Sequence, residues 1–228
     1  MAAILLGVGL QSCDREDNNG DNNGGNNGGN SSVVWVDLGL PSGLLWADRN
    51  VGANSPEDYG NYYAWGETTP KNVYDWSTYA YGNAYDELTK YCNKAYCGFN
   101  GFTDNLTTLQ ASDDAATANL GGGARTPTED EWEELIGHTT STWITRNGVN
   151  GRLLTGSNGK SLFLPAAGYR YGSYLSIAGE YGSYWSSTLY TDYPNTAWDF
   201  DFDSNGQDMG NDYRFFGFSV RAVRASQH

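Results

Sequence analysis

The last third of the chain consists of short strand-like segments, and this feature restricts the fold more than any other. Residues 151–156, 161–165, 184–188, 196–202 and 217–223 are rich in aromatic, aliphatic or β-branched residues, and turn-forming residues separate them. The 228 residues include 30 Gly, 17 Tyr and 8 Trp. A helical bundle would contain fewer glycines and more Leu, Glu, Lys and Ala. The sequence therefore predicts a fold dominated by strands and loops.

Two helices are predicted before these strands. Residues 113–120 begin with two aspartates and are followed by three glycines, which are typical of a helix end. The second helix is better defined, because Thr128 and Glu131 have the spacing of a capping box. The acidic residues 129–131 also favour the positive end of the helix dipole. Apolar residues then follow at helical spacing from Trp132, which we expect to be buried.

The chain begins with a short apolar stretch, Met1–Ser12, directly before Cys13. This stretch is too short to span a bilayer, which takes about 20 apolar residues. It has the size of the apolar part of a signal peptide. A small residue before a cysteine resembles the lipobox of bacterial lipoproteins, in which the cysteine becomes the lipidated first residue. We expect Cys13 to be lipidated; the alternative is a disordered apolar tag with an incidental cysteine.

The residues after Cys13 favour the same interpretation. Residues 14–17 form an acidic run that resembles the surface-export signal of lipoproteins in gut Bacteroidetes. Residues 18–30 contain only Asn, Gly and Asp, a composition typical of a flexible tether. The predicted organisation is a lipoprotein signal at 1–13, a tether at 14–32 and one domain at 33–228. The predicted location is the cell surface, on the outer membrane, with the lipid as the only membrane contact.

Charge and cysteine content exclude several classes of site. The formal net charge is −14, whereas binding to nucleic acid needs clustered Lys and Arg. Cys92 and Cys97 allow a disulfide but do not require one. With only His138 and His228 as further soft ligands, we predict no metal site of the zinc type.

Several separated blocks resemble one family in the same order along the chain. Residues 125–133 resemble the Arg, Pro, Thr, Glu and Trp signature of the formylglycine-generating-enzyme-like branch of C-type lectin folds. Residues 36–47 resemble the start of the Fibrobacter succinogenes major paralogous domain, a relative of that branch. Residues 163–170, 184–188 and 218–224 resemble its C-terminal half. The resemblance covers residues 33–225 and implies an α+β, C-type lectin-like fold, irregular and loop-rich, with small antiparallel sheets and two helices.

The enzymatic activity of that branch is not expected here. Formylglycine-generating enzymes work through reactive thiols in their C-terminal half, and this chain has no cysteine after Cys97. His138 stands at the predicted end of the second helix, where a histidine is more often a partner of the helix dipole than a catalytic base. We therefore predict that the protein is not an enzyme. A degenerate relative of the enzymes is the alternative that the missing thiols disfavour.

Residues of about 169–224 resemble the variable region of proteins that a retroelement diversifies, through a reverse transcriptase that mutates template adenines. In such regions, fixed blocks like 184–188 alternate with variable positions. The template carries Asn codons at these variable positions. Randomising the two adenines of such a codon yields Tyr, Asp, Ser, Gly, Phe and Ile, among others, but not Trp, Glu or Gln. Residues 189–195 are all reachable in this way, whereas Glu180, Trp198 and Gln207 are not. The alternative is an ordinary Tyr-, Ser- and Gly-rich surface in a relative that is not diversified.

The resemblance and the composition together predict a binding surface. Tyr, Ser, Gly and Asn are the residues that antibody combining sites favour. We expect a receptor- or adhesin-like protein whose partner is a protein or glycan on another cell, a phage or a host. A carbohydrate-binding or adhesive protein of the same fold and of fixed specificity is the alternative. The predicted ligand-binding residues are Tyr171, Tyr174, Ile177, Tyr181, Tyr190, Asp192, Tyr193, Asn195, Trp198, Asp199, Asp201, Asn211, Tyr213, Phe215 and Phe216.

The segment 199–206 superficially resembles a calcium loop. It does not fit an EF-hand, because Ser204 stands at the position of the required Gly and Gly210 at that of the bidentate Glu. Its alternation predicts a strand with Phe200 and Phe202 facing inward and the aspartates facing outward. We expect no cofactor, with Ca²⁺ at this surface as the alternative.

Overall fold

Strands dominate residues 32–226, the part of the chain that the computed structural model describes. Cys13 and the predicted tether up to residue 31 lie outside the described residues. Two α-helices occur in this part, α1 (Ala115–Leu120) and α2 (Glu129–His138). Short 3₁₀ turns cover Trp76–Thr78, Phe99–Gly101 and Ala111–Asp113. The strands are β1 (Trp35–Asp37), β2 (Leu45–Asn50), β3 (Tyr62–Tyr63), β4 (Thr139–Arg146), β5 (Val149–Gly156), β6 (Ser161–Pro165), β7 (Tyr169–Tyr171), β8 (Tyr174–Ser176), β9 (Gly182–Leu189), β10 (Thr196–Phe202), β11 (Gln207–Tyr213), β12 (Phe218–Ser219) and β13 (Arg221–Arg224).

The strands form four small sheets. The order is β1-β2-β13 in the first and β11-β10-β9-β12-β3 in the second. The third is β4-β5-β6 and the fourth is the β7-β8 hairpin. All pairings between these strands are antiparallel except that of β12 with β9. The predicted mixture of small sheets and two helices is confirmed, and the fold is α+β.

Helix α2 begins with the predicted capping box. The Thr128 hydroxyl accepts a hydrogen bond from the Glu131 backbone N–H at 3.3 Å, and the Glu131 carboxylate accepts one from the Thr128 N–H at 2.9 Å. The guanidinium of Arg125 donates to both oxygens of the same carboxylate, at 2.6 and 2.5 Å. Trp132 is fully buried, as predicted, and stacks on Phe200 of β10 with ring centroids 4.9 Å apart. These contacts fix the helix against the five-stranded sheet.

The expectation that the aspartates of β10 face solvent was wrong for Asp199, which is buried, whereas Asp201 is half-buried. Phe200 and Phe202 are buried on the sheet face that packs on Trp132, as the alternation indicates. Asp199 lies on the opposite face and is also 0% exposed. Its cross-strand partner is Trp185, which belongs to a second apolar cluster. Because apolar clusters pack on both faces of the sheet near Asp199, alternation separates two interiors at this residue and not an interior from solvent.

The structure also bears on the predicted strands, the two cysteines and His138. Strands occupy all five predicted C-terminal segments, but β4, β7, β8 and β11 were not predicted. Cys92 and Cys97 are buried free thiols that pack with Leu88. His138 ends α2, with its Nδ1 3.0 Å from the carbonyl oxygen of Glu134. Between residues 32 and 226, no helix has the length and apolar character needed to cross a membrane.

Candidate functional site

Five aromatic side chains from distant parts of the chain meet at one surface, here named the aromatic patch: Trp76, Tyr171, Tyr213, Phe215 and Phe216. The ring of Phe215 lies 5.0 Å from that of Trp76 and stacks on Tyr213 at 5.7 Å, centroid to centroid. Tyr171 contacts Phe216 at 5.4 Å. These separations are the usual ones for favourable ring pairs. The patch is therefore a packed layer in which Phe215 is buried and Tyr171 and Tyr213 are exposed to solvent.

The β7-β8 hairpin that carries Tyr171 is held by backbone pairing with two distant segments. Tyr74 and Gly172 exchange two N–H···O bonds of 2.8 Å. Arg170 and Gly217 exchange two more, of 2.8 and 3.0 Å. A Cβ on Gly217 would lie 2.6 Å from the ring of Tyr74, so this close approach requires glycine. The hairpin is thus fixed relative to the strands that carry the rest of the patch.

Arg214 anchors the segment between the exposed and buried rings. Its side chain is fully buried, and the guanidinium donates to the carbonyl oxygens of Lys90, Tyr91 and Pro194 at 2.9–3.0 Å. Its Nε donates to the Tyr79 hydroxyl at 2.8 Å. The bonds to the three carbonyl oxygens satisfy loop acceptors, so Arg214 connects the loop before β10 to the irregular segment around residue 90.

The predicted ligand-binding residues divide by exposure. Tyr174 is 74% exposed, Tyr193 60% and Tyr213 43%. The exposed members are Tyr171, Tyr174, Ile177, Asp192, Tyr193, Asn211 and Tyr213. The half-buried members are Tyr181, Tyr190, Asn195, Trp198, Asp201 and Phe216. Asp199 and Phe215 are buried, so they support the surface from below and offer a ligand no direct contact area.

The loop before β10 forms a second aromatic group next to the patch. Tyr190 stacks on Tyr193 at 6.1 Å and meets Trp198 edge-on at 4.8 Å. At the start of β10, Thr196 pairs with Tyr213 of β11. The strand register therefore places the two aromatic groups next to each other.

A neighbouring segment missed by sequence reasoning supports this loop. The Tyr96 hydroxyl donates to the backbone oxygen of Asp192 at 3.2 Å, and the Asn93 amide donates to that of Thr191 at 3.1 Å. Residues 74–105 show no regular periodicity, so nothing in the sequence indicated that they reach the loop. The same holds for Trp76, which completes the patch.

Ile177, directly after the hairpin, has an unusual backbone. Its φ is +46°, in the left-handed region, and its side chain is 46% exposed. β-branched residues are rare there, whereas Asn is enriched several-fold. The neighbouring chain requires this turn, because the N–H groups of Glu180 and Tyr181 both bond the Ile177 carbonyl at 3.1 Å. The fold imposes the conformation, and the side chain does not favour it.

A third group beside the surface is acidic. The carboxylates of Asp199, Asp201 and Asp212 each contribute an oxygen, and these oxygens lie within 4.8 Å of one another. Burial, followed by the charge of Asp201, raises the pKa of Asp199 well above its usual value. Burial also raises the pKa of Asp212, to about 6, and that of Tyr181, whose hydroxyl faces Asp201. The group therefore combines burial with concentrated negative charge.

Comparisons with known proteins identify one related segment. A family profile described as a domain of unknown function (DUF8237) matches residues 154–223. No curated protein and no solved structure matches the chain. The matched segment runs from the end of β5 into β13 and contains every residue of the three groups except Trp76. This chain is thus similar to that domain over the segment that builds the candidate site.

Proposed function

We propose that this protein is a surface-displayed, ligand-binding lipoprotein with a C-type lectin-like fold, and that a retroelement diversifies its binding surface. The observation that carries the proposal is the pair of neighbouring aromatic groups, the patch and the loop before β10. Their exposed rings are carried by backbone that hydrogen bonds hold to the rest of the domain. Such a surface is unusual for a soluble domain without a partner.

The chemistry of the surface suits recognition. Tyrosine provides a large amphipathic contact area at low entropic cost, and aromatic rings dominate binding energy at interfaces. Among the predicted ligand-binding residues, Tyr174, Tyr193 and Tyr171 have the most exposed rings, and Tyr213 is exposed as well. Asp192 and Asn211 are exposed beside them and supply polar contacts. Net charge and patch composition both favour a protein or glycan ligand over nucleic acid.

The backbone of Ile177 supports diversification in particular. A left-handed φ of +46° suits asparagine, and isoleucine is strained there. An Asn codon becomes an Ile codon through a change at one adenine. A strained Ile at this position is expected if selection fixed a backbone for Asn and the template was then mutated. In a protein of fixed specificity, the strain would need a separate functional cause at this position.

Sequencing the 3′ coding end from many cells of the host population tests diversification. The proposal expects substitutions concentrated at adenines of a nearby template copy, and expects them in codons of exposed residues such as 171, 174, 177, 193 and 213. Codons 184–188 should stay constant. A uniform 3′ end with no template copy and no reverse transcriptase gene would favour the carbohydrate-binding or adhesive protein of fixed specificity.

A triple variant tests the binding surface. Tyr174, Tyr193 and Tyr213 are replaced together by Ser, and Tyr85→Ser is the matched control, because Tyr85 is 59% exposed but lies outside residues 169–224. All proteins are applied to glycan and cell-surface protein arrays. We expect the triple variant to lose the spots that the wild type and the control share, with an unchanged circular dichroism spectrum. Equal binding by all three proteins would refute the assignment of the surface.

The anchor is tested separately. In the native host, a Cys13→Ala protein should be released from the membrane fraction, because the lipid is its only proposed attachment. The same variant with retained membrane attachment and surface exposure would contradict the lipoprotein proposal.

A further inference from the structure

The acidic group described above lies on one face of the β10-β11 hairpin. Asp199 and Asp201 alternate along β10, and Asp212 stands opposite Ala197 on β11. Gly210 stands opposite Asp199, between the aspartates. The strand register therefore points three carboxylates into one volume, and a glycine leaves that volume free of a side chain.

Within the described part of the chain, these three carboxylates form no ion pair with a basic side chain. Both oxygens of Asp199, which is 0% exposed, and Oδ1 of Asp201 lack a hydrogen-bond partner. None of the ion pairs between residues 32 and 226 includes Asp199, Asp201 or Asp212. Ionised carboxylates only accept hydrogen bonds, so two of these aspartates could bond each other only if one of them were protonated. A buried charge without a partner is costly, and folded proteins normally compensate it with a cation or a bound metal.

Gly210 keeps the space between the oxygens open. A Cβ at this position would lie 3.4 Å from Oδ2 of Asp201 and 3.7 Å from both oxygens of Asp199. The backbone itself does not require glycine, because Gly210 lies outside the left-handed region. An open cavity of about 320 Å³, lined by Tyr181, Asp201 and Asp208 among others, gives solvent access to the group.

We propose that Asp199, Asp201 and Asp212 bind one Ca²⁺ ion in the space above Gly210. The donors are all carboxylate oxygens, which hard cations prefer, and nitrogen or sulfur donors are absent from the group. Oxygens on opposite sides of one Ca²⁺, each about 2.4 Å away, are about 4.8 Å apart. The mutual distances of at most 4.8 Å therefore fit a single ion. The ion neutralises the buried charge and ties β10 to β11 beneath the binding surface, and this role does not depend on the identity of the ligand.

The test uses the full chain at pH 7.5, treated with EDTA and dialysed. Calorimetric titration with CaCl₂ gives stoichiometry and Kd, and thermal melting is measured with and without Ca²⁺. Tb³⁺ luminescence, sensitised by Tyr181 or Trp185 near the group, reports occupancy of the same site. Asp212→Asn is the main variant because Asp212, like Asp201, is only half-buried, whereas Asp199 is buried. Asp208→Asn is the matched control, since Asp208 lies on the same face but is exposed and outside the group.

We expect one Ca²⁺ per chain and a rise in Tm of about 5 °C or more when free Ca²⁺ is about 100 times Kd. Asp212→Asn should weaken binding at least 10-fold and remove the Tm rise, while raising Tm in EDTA because it removes unpaired charge. Asp208→Asn should leave Kd within about 2-fold. Absence of binding by the wild type, or equal loss in both variants, would overturn the proposal. If Asp212→Asn fails to fold, the calcium response of the wild type still decides, together with Gly210→Ala, which narrows the space and should weaken binding.

Discussion

Strain at Ile177 makes a prediction whose sign depends on the position of the substitution. We compare glycine with alanine at residue 177 and at Leu175, its neighbour in β8. The two side chains are similarly exposed, 46% and 42%, but only Ile177 has a left-handed φ. Both substitutions at each site remove the same side chain, so the lost apolar contacts cancel in the comparison. What remains is the response of the backbone.

The magnitude follows from two terms. Glycine loses more conformational freedom than alanine on folding, which costs about 0.5–1 kcal/mol at either site. At residue 177, alanine retains the left-handed strain of about 1–2 kcal/mol, which glycine avoids. Leu175→Gly should therefore be less stable than Leu175→Ala by about 0.5–1 kcal/mol. Ile177→Gly should instead be more stable than Ile177→Ala by about 0.5–1 kcal/mol. Ile177→Asn should also be more stable than Ile177→Ala, because Asn adopts the left-handed region more readily.

Urea unfolding monitored by tryptophan fluorescence measures these differences. The midpoints should shift in opposite directions at the two sites while the slopes stay constant. In thermal melts the double difference of about 1–2 kcal/mol corresponds to about 3–6 °C for a domain of this size. If glycine is less stable than alanine by the same amount at both sites, the backbone at 177 is unstrained, and its support for diversification disappears.

Three further expectations concern the scaffold. Thr128→Ala removes the N-cap of α2 and should lower the free energy of unfolding by about 1 kcal/mol, measured by urea denaturation; no change would contradict the capping role. Arg214→Met removes four hydrogen bonds and leaves three loop carbonyls without this donor, so the free energy of unfolding should fall by more than about 3 kcal/mol. A thermal midpoint close to that of the wild type would refute the structural role of Arg214. Burial raises the pKa of Glu131, but hydrogen bonds from Arg125 and Thr128 outweigh it and leave the pKa lowered. Its stabilisation is therefore present above pH 4.5 and is lost as pH falls through the folded-state pKa, so Glu131→Gln should flatten the stability profile below pH 4.5, and an unchanged profile would count against the ion pair.

The sequence predicted features that depend on nearby residues. The capping box of Thr128 and Glu131, the burial of Trp132 and the strand of Phe200 and Phe202 all follow from spacing within ten residues. Features that depend on distant contacts were not predicted. Trp76 reaches the patch only because Tyr74 pairs with the β7-β8 hairpin about 100 residues later in the chain.

Strand alternation failed for Asp199 for a similar reason. Period-two patterns indicate which residues share a face, but not whether that face meets solvent or a second layer. The aspartates of β10 do share a face, as predicted, and Trp185 covers its neighbourhood from β9. The burial of Asp199 depends on its pairing with β9 and on the cluster around Trp185, and a local sequence pattern does not indicate such contacts.

Exposure within residues 169–224 limits which positions can vary without loss of the fold. Tyr174 and Tyr193 have little structure above them, and exposed substitutions usually change stability by less than about 0.5 kcal/mol. Phe215 is only 6% exposed and contacts rings from three segments, so its truncation should cost about 3–5 kcal/mol, as for other core phenylalanines. A codon that yields Phe at 215 also yields Ser, Asp and Gly, which would leave a cavity or a buried charge. Under the proposed diversification, we therefore expect variation at the exposed rings, whereas Phe215 and Arg214, which support them from below, should stay constant.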